Sequence, residues 1–260
     1  MKFSLSSRQQ PEYLQKCDEI RVLWNDRKVI FDLVEKYPDK TINLCRFYIH
    51  ANDNEIDWKE MNNYKTLCKE NFVLGLSYID ELEEAKNYGI KCYYLEPVTT
   101  FRDLRALKNL GVEWALIDAP LFFQMDKVKA CGVPLRATAN MAMRKLLPHE
   151  DGVPGPWIRP EDLHMYNDYI DIIEFGRVNL DQERALYRIY AEQRNWPGDL
   201  GLIIQDLNHT GVNRMIHSSV THRRLNCGQR CQETDRCRLC WRALDLADPD
   251  LIREYQTSMK

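Results

Sequence analysis

Short, nearly continuous apolar runs recur along the chain, and segments with helical spacing of their apolar residues lie between them. Runs of this length, rich in Val, Ile, Leu and Tyr, are typical of strands buried on both faces of a parallel sheet. In the intervening segments, Ile30, Leu33, Val34 and Tyr37 have the spacing of one buried helix face. We predict eight strands, over residues 2–6, 19–24, 41–48, 72–77, 91–97, 113–120, 134–141 and 171–175.

Three glycines mark a repeating unit in which a helix ends and a strand follows. Gly89, Gly111 and Gly132 lie about 22 residues apart, each between a helical pattern and an apolar run. Glycine at such a position is typical of the left-handed residue that ends a helix. Thr100 and Asp103 have the spacing of a helix cap at the start of one of these units.

Eight strands that alternate with helices predict an α/β fold, a (β/α)8 TIM-type barrel. An open, doubly wound sheet has the same local pattern and remains the alternative. No strand is followed by G-x-G-x-x-G or G-x-x-x-x-G-K-[ST], the glycine-rich fingerprints of nucleotide-binding sheets. We predict the barrel over residues 1–207 and a cysteine-rich, basic C-terminal extension, packed on the barrel, over residues 208–260.

Charge and hydropathy restrict the class of protein. The chain is 44% hydrophobic and 29% charged with a net charge of -3, which argues against a protein that coats nucleic acid. Residues 209–243 nevertheless carry seven arginines and two acidic residues, a local charge of about +5. No stretch approaches the roughly 20 apolar residues of a membrane span, and the N-terminal apolar run is too short for a signal peptide. We therefore predict a cytoplasmic protein.

Carboxylates that follow apolar strands are the candidate catalytic groups. The active site of a (β/α)8 barrel forms at the carboxyl ends of its strands. Asp118, in ALIDAPL, and Glu174, in DIIEFGR, occupy such positions. A partly buried carboxylate there suits general acid–base catalysis, so we predict both as catalytic. The alternative for both is a structural hydrogen-bond acceptor.

Other residues at the same end of the predicted strands are candidates for substrate binding. A guanidinium holds a carboxylate or phosphate bidentately, although Arg136 and Arg177 are equally suited to ion pairs with Asp118 and Glu174. Residues 144–160 form a long Pro- and Gly-containing connection typical of a lid or binding loop. Its tryptophan either stacks on a substrate ring or packs on the barrel. The predicted substrate-binding residues are Glu96, Arg136, Asn140, Trp157 and Arg177.

Four cysteines lie close together in the stretch CGQRCQETDRCRLC, residues 227–240. Cys227, Cys231, Cys237 and Cys240 have the spacing C-x3-C-x5-C-x2-C. In a reducing compartment such a cluster favours a metal over disulfides, and thiolates select zinc, copper(I) and iron–sulfur clusters. A compact all-cysteine loop with flanking arginines suits a [4Fe–4S] cluster, with a tetrahedral Zn²⁺ site as the alternative.

Two phrases and the cysteine-rich tail resemble the collagenase-like proteins of peptidase family U32. PWIRPEDLHMYNDYIDIIEFGR, residues 156–177, has that family's helix start and glycine–arginine pair, and GVPLRATANMA resembles its preceding strand, which ends here at Asn140. The resemblance spans roughly residues 70–240. It implies a TIM-type barrel and, in several members, cysteine-bound [4Fe–4S] clusters with oxygen-independent hydroxylation of RNA bases or of a quinone precursor. Other members are described as peptidases.

These observations lead to three hypotheses about function. The first is an iron–sulfur barrel enzyme that hydroxylates RNA or a small aromatic molecule without oxygen and takes electrons from a donor. The second is a U32-type peptidase or other hydrolase with a structural zinc site. The third is a non-enzymatic, zinc-stapled binding module. Absorbance near 400 nm would distinguish the cluster-containing enzyme from both zinc proteins.

Overall fold

Eight parallel strands form a closed barrel in the order of the sequence. The computed structural model of the protein describes residues 1–47, 55–118, 121–140, 158–176 and 178–192. The last strand pairs with the first, Lys2 opposite Ile172, so the predicted (β/α)8 barrel is confirmed and the open sheet is wrong. The strands are β1 Lys2–Ser6, β2 Glu19–Leu23, β3 Thr41–Arg46, β4 Phe72–Leu76, β5 Cys92–Val98, β6 Ala115–Ile117, β7 Leu135–Thr138 and β8 Ile172–Glu174.

Helices follow most of the strands within the described ranges. The α-helices are α1 Pro11–Leu14, α2 Ile30–Lys36, α3 Trp58–Cys68, α4 Ile79–Asn87, α5 Phe101–Leu110, α6 Met125–Ala130 and α7 Leu180–Ala191. Short 3-10 helices are Trp24–Val29, Lys69–Asn71, Leu121–Phe123 and Pro160–Tyr166. The strands are shorter than predicted at several ends, because an apolar run continues beyond the residues that pair in the sheet.

Local signals in the sequence set the helix ends as expected. Gly89, Gly111 and Gly132 have φ values of 61°, 73° and 69°, the left-handed region that glycine enters without strain. The Thr100 side chain accepts a hydrogen bond from the backbone N–H of Asp103 at 3.1 Å and begins α5.

The described residues belong to two compact units. The first comprises Met1–Ile117, Cys131–Arg136 and Asp171–Glu174, and the second comprises Asp118–Ala130, Ala137–Ile170 and the described residues from Phe175 onward. In the first, buried apolar residues such as Ile20, Val22 and Leu44 alternate along the strands with inward polar ones.

The second unit has an aromatic core. The ring of Phe122 stacks on Tyr166 with centroids 5.5 Å apart, and Phe175 packs against Tyr190 at 5.3 Å. The Tyr190 hydroxyl donates to the carbonyl of Ile158. These contacts anchor the described part of the chain that follows the 144–160 connection.

No α-helix in the described part of the chain is long and apolar enough to cross a membrane. Residues 208–260, the predicted extension, lie outside the described residues. The division of the chain at residue 207 therefore stays a prediction.

Candidate functional site

Charged and polar side chains fill the barrel interior in the first unit. We call this group the interior cluster; its members are Ser4, Glu19, Arg21, Asn43, Cys45, Tyr93, Arg136 and Glu174. They come from five different strands and from β1, so they meet only because the barrel closes. Buried charges require partners, and the interior cluster supplies them internally.

A fully buried ion pair lies at the centre of the interior cluster. The Arg136 guanidinium donates from Nη1 to Glu19 Oε2 at 3.1 Å and from Nη2 to Glu19 Oε1. Glu19 Oε1 also accepts from Ser4 Oγ at 2.6 Å and from Asn43 Nδ2 at 2.8 Å. Each oxygen of the Glu19 carboxylate is therefore hydrogen-bonded.

Both members of this pair are charged. Burial acts to raise the pKa of Glu19, but the charge and hydrogen bonds of Arg136, with those of Asn43 and Ser4, bring that pKa below its ordinary value. Burial acts to lower the pKa of Arg136, but Glu19, Tyr93 and Glu174 raise it well above its ordinary value. Mutual neutralisation thus stabilises two charges inside the barrel.

The interior cluster reaches solvent at Glu174 and Arg21. Glu174 ends β8, and its Oε2 accepts from Arg136 Nε at 2.6 Å and lies 3.2 Å from Arg21 Nη1. The side chains of Glu174 and Arg21 are each 15% exposed, whereas Arg136 is fully buried. A carboxylate held between two guanidiniums is therefore accessible at the carboxyl end of a barrel strand.

Aromatic and thiol groups line the same interior. The Arg136 guanidinium lies over the Tyr93 ring at 4.8 Å and over the Trp114 ring at 5.9 Å. The Tyr93 hydroxyl accepts from Asn43, and burial raises its pKa well above the ordinary value. Burial also raises the pKa of the Cys45 thiol to about 11, so the thiol is protonated and is not a nucleophile.

A second charged group lies where β2, β3 and β4 end. We call it the rim cluster; it comprises Trp24, Arg27, Arg46 and Glu81. The Arg46 guanidinium lies 4.9 Å from the centre of the Trp24 ring, and Arg27 lies over that ring at 5.1 Å. Arg46 Nη1 is 3.0 Å from Glu81 Oε1, while the buried Glu81 Oε2 has no hydrogen-bond partner among the described residues. Burial raises the pKa of Glu81 although Arg46 acts to lower it.

The structure places the two predicted catalytic carboxylates in different surroundings. Glu174 belongs to the interior cluster of the first unit. Asp118 belongs to the second unit, where it is partly exposed and its carbonyl accepts from the N–H of Phe122 at 3.1 Å. Their catalytic roles stay predictions.

The predicted substrate-binding residues also divide into groups. Arg136 is enclosed by its ion pairs, as its alternative role required for Glu174, and Glu96 is partly exposed on β5. The buried Asn140 amide donates to the Gly176 carbonyl at 3.0 Å and accepts from its N–H at 2.9 Å. Their roles in substrate binding stay predictions, and Trp157 and Arg177 lie outside the described residues.

The predicted metal centre cannot be placed in the barrel described above. Cys227, Cys231, Cys237 and Cys240 lie outside the described residues. Within the described ranges, no three or more His, Cys, Asp or Glu side chains are grouped so that they could hold a metal ion.

Sequence reasoning missed Glu19, Arg21 and Asn43. Their signal was present, because Glu19 and Arg21 alternate with Ile20 and Val22 in β2, while Asn43 interrupts an otherwise apolar β3. Polar residues at alternate positions in a strand buried on both faces indicate a polar barrel interior. The partner of Glu19 is 117 residues away, so the sequence gives no sign of which cation neutralises it.

Comparison with known proteins gives similar folds and no family. No family model matches the chain, and no curated protein does. The similar solved structures include a 3-keto-L-gulonate-6-phosphate decarboxylase from Vibrio cholerae O1 biovar El Tor, with 14% identity, TM-score 0.47, and coverage of 75% of this chain and 99% of that one. A native KDPGal structure has 11% identity, TM-score 0.44, and coverage of 74% and 92%. A 4-hydroxy-2-oxoglutarate aldolase has 14% identity, TM-score 0.40, and coverage of 73% and 90%.

The expected membership of peptidase family U32 is wrong. No model of any family matches, and the similar structures are decarboxylases and aldolases of other barrel families. The phrases behind the resemblance encode local barrel structure, since Pro160 simply begins a 3-10 helix and IIE is a short barrel strand. Such phrases recur wherever a strand and a helix alternate.

The expected functions fall with that resemblance. Iron–sulfur hydroxylation of RNA or a small aromatic molecule, U32-type hydrolysis with a structural zinc, and the zinc-stapled binding module are all unsupported by these comparisons. At such low identity the similar structures bear on the fold alone. The chemistry must be argued from the side chains of the barrel.

Proposed function

We propose that the protein is an enzyme that binds a small anionic substrate at the carboxyl ends of the barrel strands and transfers a proton through Glu174. One observation carries the proposal: a carboxylate at the end of β8 is partly exposed and held between two guanidiniums. Active sites of (β/α)8 barrels lie at this end. General acid–base catalysis needs a carboxylate within hydrogen-bond reach of the substrate, in a fixed orientation.

Arg21 binds the anionic group of the substrate in this proposal. Its guanidinium lies 3.2 Å from Glu174 and is as exposed as that carboxylate, so a substrate that approaches one also approaches the other. A guanidinium recognises carboxylate and phosphate through paired N–H groups. The substrate anion and the reacting proton would therefore lie on adjacent atoms or nearly so.

Arg136 acts as a positioning residue. It is fully buried, so it does not contact the substrate, but its Nε holds Glu174 Oε2 at 2.6 Å. The Glu19 carboxylate fixes the other side of the same guanidinium. A chain of buried contacts thus leads from the barrel centre to the accessible carboxylate and limits its movement.

A substrate-independent assay tests the role of Glu174. Small carboxylates and phosphate esters with acidic C–H bonds are incubated with the protein in D2O, and deuterium incorporation is followed by proton NMR. We expect the wild type to exchange at least one compound, and Glu174→Gln to lose about 10²- to 10⁴-fold in exchange rate.

Glu83→Gln is the matched control, because Glu83 is an exposed carboxylate on α4. It should exchange at the wild-type rate. Arg21→Gln should raise KM for the exchanged anion more than it lowers kcat. Exchange by Glu174→Gln at the wild-type rate would contradict the proposal, as would a wild type that neither exchanges nor binds any of these anions.

A metal centre at Cys227, Cys231, Cys237 and Cys240 remains a separate proposal. Its support is the donor set, since four thiolates in one short stretch suit a [4Fe–4S] cluster or Zn²⁺. Such a group would supply a structural staple or an electron-transfer centre. Iron, sulfide and zinc analysis of the purified protein, with a Cys237→Ala variant, tests it.

Partners and location also stay proposals. An RNA or small aromatic partner and an electron donor have only the sequence in their support, above all the arginines between residues 209 and 243. A cytoplasmic location fits the free thiols of Cys17, Cys45, Cys68, Cys92 and Cys131, since thiols persist in a reducing compartment.

A further inference from the structure

A cavity of about 410 Å³ opens at the end of the barrel opposite the carboxyl ends of the strands. It lies between the last turns of α2 and α3 and the first residues of β3, all within the first unit. Its volume falls in the range of small-molecule sites, ~300–1,000 Å³. None of its lining residues belongs to the interior cluster or the rim cluster.

The lining combines an apolar floor with a cationic edge. Val34, Tyr37, Ile42 and Leu67 supply apolar surface. Burial raises the pKa of the Cys68 thiol to about 12, so this thiol is an uncharged part of the floor. Lys40 and Lys69 contribute ammonium groups beside this surface. An apolar body with one charged end suits such a lining.

Lys69 differs from Lys40 in having no ion pair. Lys40 Nζ lies 3.1 Å from an Asp39 carboxylate. The Lys69 side chain makes no hydrogen bond or ion pair with any residue in the described ranges. The cavity edge therefore has one ammonium group that is available to an anion.

The backbone of Lys69 is strained. Its φ of 55° and ψ of -126° make it the one described non-glycine residue with positive φ. Glycine enters this region without strain, whereas a residue with a Cβ does not. A lysine at such a position places an ammonium group at the cavity at the expense of backbone stability.

We propose that this cavity binds a small aromatic or branched-aliphatic monocarboxylate, with its apolar body on the floor and its carboxylate at Lys69. Glu70 also lines the edge, and its carboxylate repels a dianion such as a phosphate monoester more than a monoanion. The ligand class is therefore a carboxylate. This site is distinct from the one proposed for catalysis and does not depend on it.

The test uses 1-anilinonaphthalene-8-sulfonate as a fluorescent probe and three competitors that share one ring system. We expect saturable binding with one probe per chain, displaced by 2-naphthoate at lower concentration than by 2-naphthyl phosphate or 2-naphthalenemethanol. Lys69→Gln should weaken 2-naphthoate binding about 1.5- to 5-fold, the effect of one exposed ion pair, and leave 2-naphthalenemethanol unchanged. Leu67→Gln should weaken both ligands, because the floor contacts the ring.

Two further variants separate binding from folding. Lys69→Gly should lose the same affinity as Lys69→Gln without a lower Tm, because glycine relieves the backbone strain. Lys16→Gln removes an exposed lysine elsewhere and should leave binding unchanged. Probe binding that is not saturable, or that Lys69→Gln and Leu67→Gln both leave unchanged, would overturn the proposal. Preference for the phosphate would overturn the assigned ligand class.

Discussion

Two arginine–glutamate pairs in the first unit contain the same groups and hold their protons differently. In the interior cluster, Glu19 accepts hydrogen bonds on each oxygen from Arg136 and from neutral donors. In the rim cluster, Glu81 uses one oxygen for Arg46 and leaves the other buried without a partner among the described residues. Burial acts to raise the pKa of both, yet the pKa of Glu19 falls and that of Glu81 rises.

The difference shows that the number of hydrogen-bond donors decides the charge of a buried carboxyl more than the depth of burial does. Glu19 is the more deeply buried of the two and remains ionised, because its oxygens are fully solvated by protein groups. Glu81 has one cation and too few donors, so it takes up a proton at higher pH. The interior pair is therefore a fixed structural charge, whereas the rim pair responds to pH.

The largest expected effect comes from removal of one interior charge. Arg136→Met leaves the Glu19 carboxylate buried without a cation, and we expect a loss of about 3–5 kcal/mol in the free energy of unfolding. Urea denaturation measures it. The double variant Glu19→Gln/Arg136→Met removes both charges and should recover part of that loss. If the single and double variants are equally destabilised, the two groups do not interact as described.

A smaller effect is expected where the backbone approaches the interior cluster. A Cβ on Gly75 would lie 2.9 Å from the Tyr93 ring and 3.0 Å from Leu95, and Tyr93 is fully buried and cannot swing aside. We expect Gly75→Ala to lose ~1–3 kcal/mol in the free energy of unfolding. Displacement of the ring also weakens its contact with Asn43.

Tyr93→Leu provides the control for that clash. In the Tyr93→Leu background the ring atoms are absent, so the additional loss caused by Gly75→Ala should be much smaller. Thermal and urea denaturation of the four proteins give the coupling between the two sites. Simple additivity of the two changes would show that the ring and the glycine do not pack as the structure has them.

The barrel itself was within reach of the sequence, because its signals are local. Apolar runs marked each strand, and glycines such as Gly111 marked the helix ends, each interpreted from a few neighbouring residues. The interior cluster was out of reach in most of its members. Glu19 and Arg136 are adjacent only after seven strands have closed into a barrel, and nothing near Glu19 in the chain identifies its partner.

The error about family and function has a related cause. The phrase RPEDL and the pair in EFGR encode a helix start and a strand end, which many barrels share. Glu174 was singled out correctly as a residue at the mouth of a strand, but its neighbours there were not predictable. Arg21, which lies beside it, is in a different strand and was not considered.

The two pairs should also give stability profiles with opposite slopes in pH. The pKa of Glu19 is lowered, so its contribution is present above the ordinary value of 4.5 and is lost as pH falls through the folded pKa. The pKa of Glu81 is raised, so its contribution is present below 4.5 and is lost as pH rises through the folded pKa.

Unfolding free energies at about pH 4 to 8 reveal these slopes as differences from the variants. The wild-type value minus that of Glu81→Gln should fall as pH rises above 4.5, the ordinary value of Glu81. The wild-type value minus that of Glu19→Gln should fall instead toward acid pH. Parallel slopes for the two differences would mean that donor count does not distinguish the pairs.

The smallest effect is expected at the exposed side of the rim cluster. Arg27 and Glu60 are 27% and 30% exposed, and Arg27 lies over the Trp24 ring on the side that reaches solvent. An exposed ion pair and an exposed cation–π contact each contribute about 0.5–1 kcal/mol or less, so Arg27→Gln should lose no more than about 1–2 kcal/mol.

Salt separates Arg27 from Arg46, which faces the same indole but is only 3% exposed. Solvent screens the charge of Arg27, so the loss caused by Arg27→Gln should shrink at about 1 M salt, whereas that of Arg46→Gln should persist. Arg46→Gln also leaves Glu81 without its cation, which favours the protonated carboxyl and limits the loss at acid pH. Equal salt dependence of the two variants would place both guanidiniums in the same environment and remove the distinction between the rim and its exposed edge.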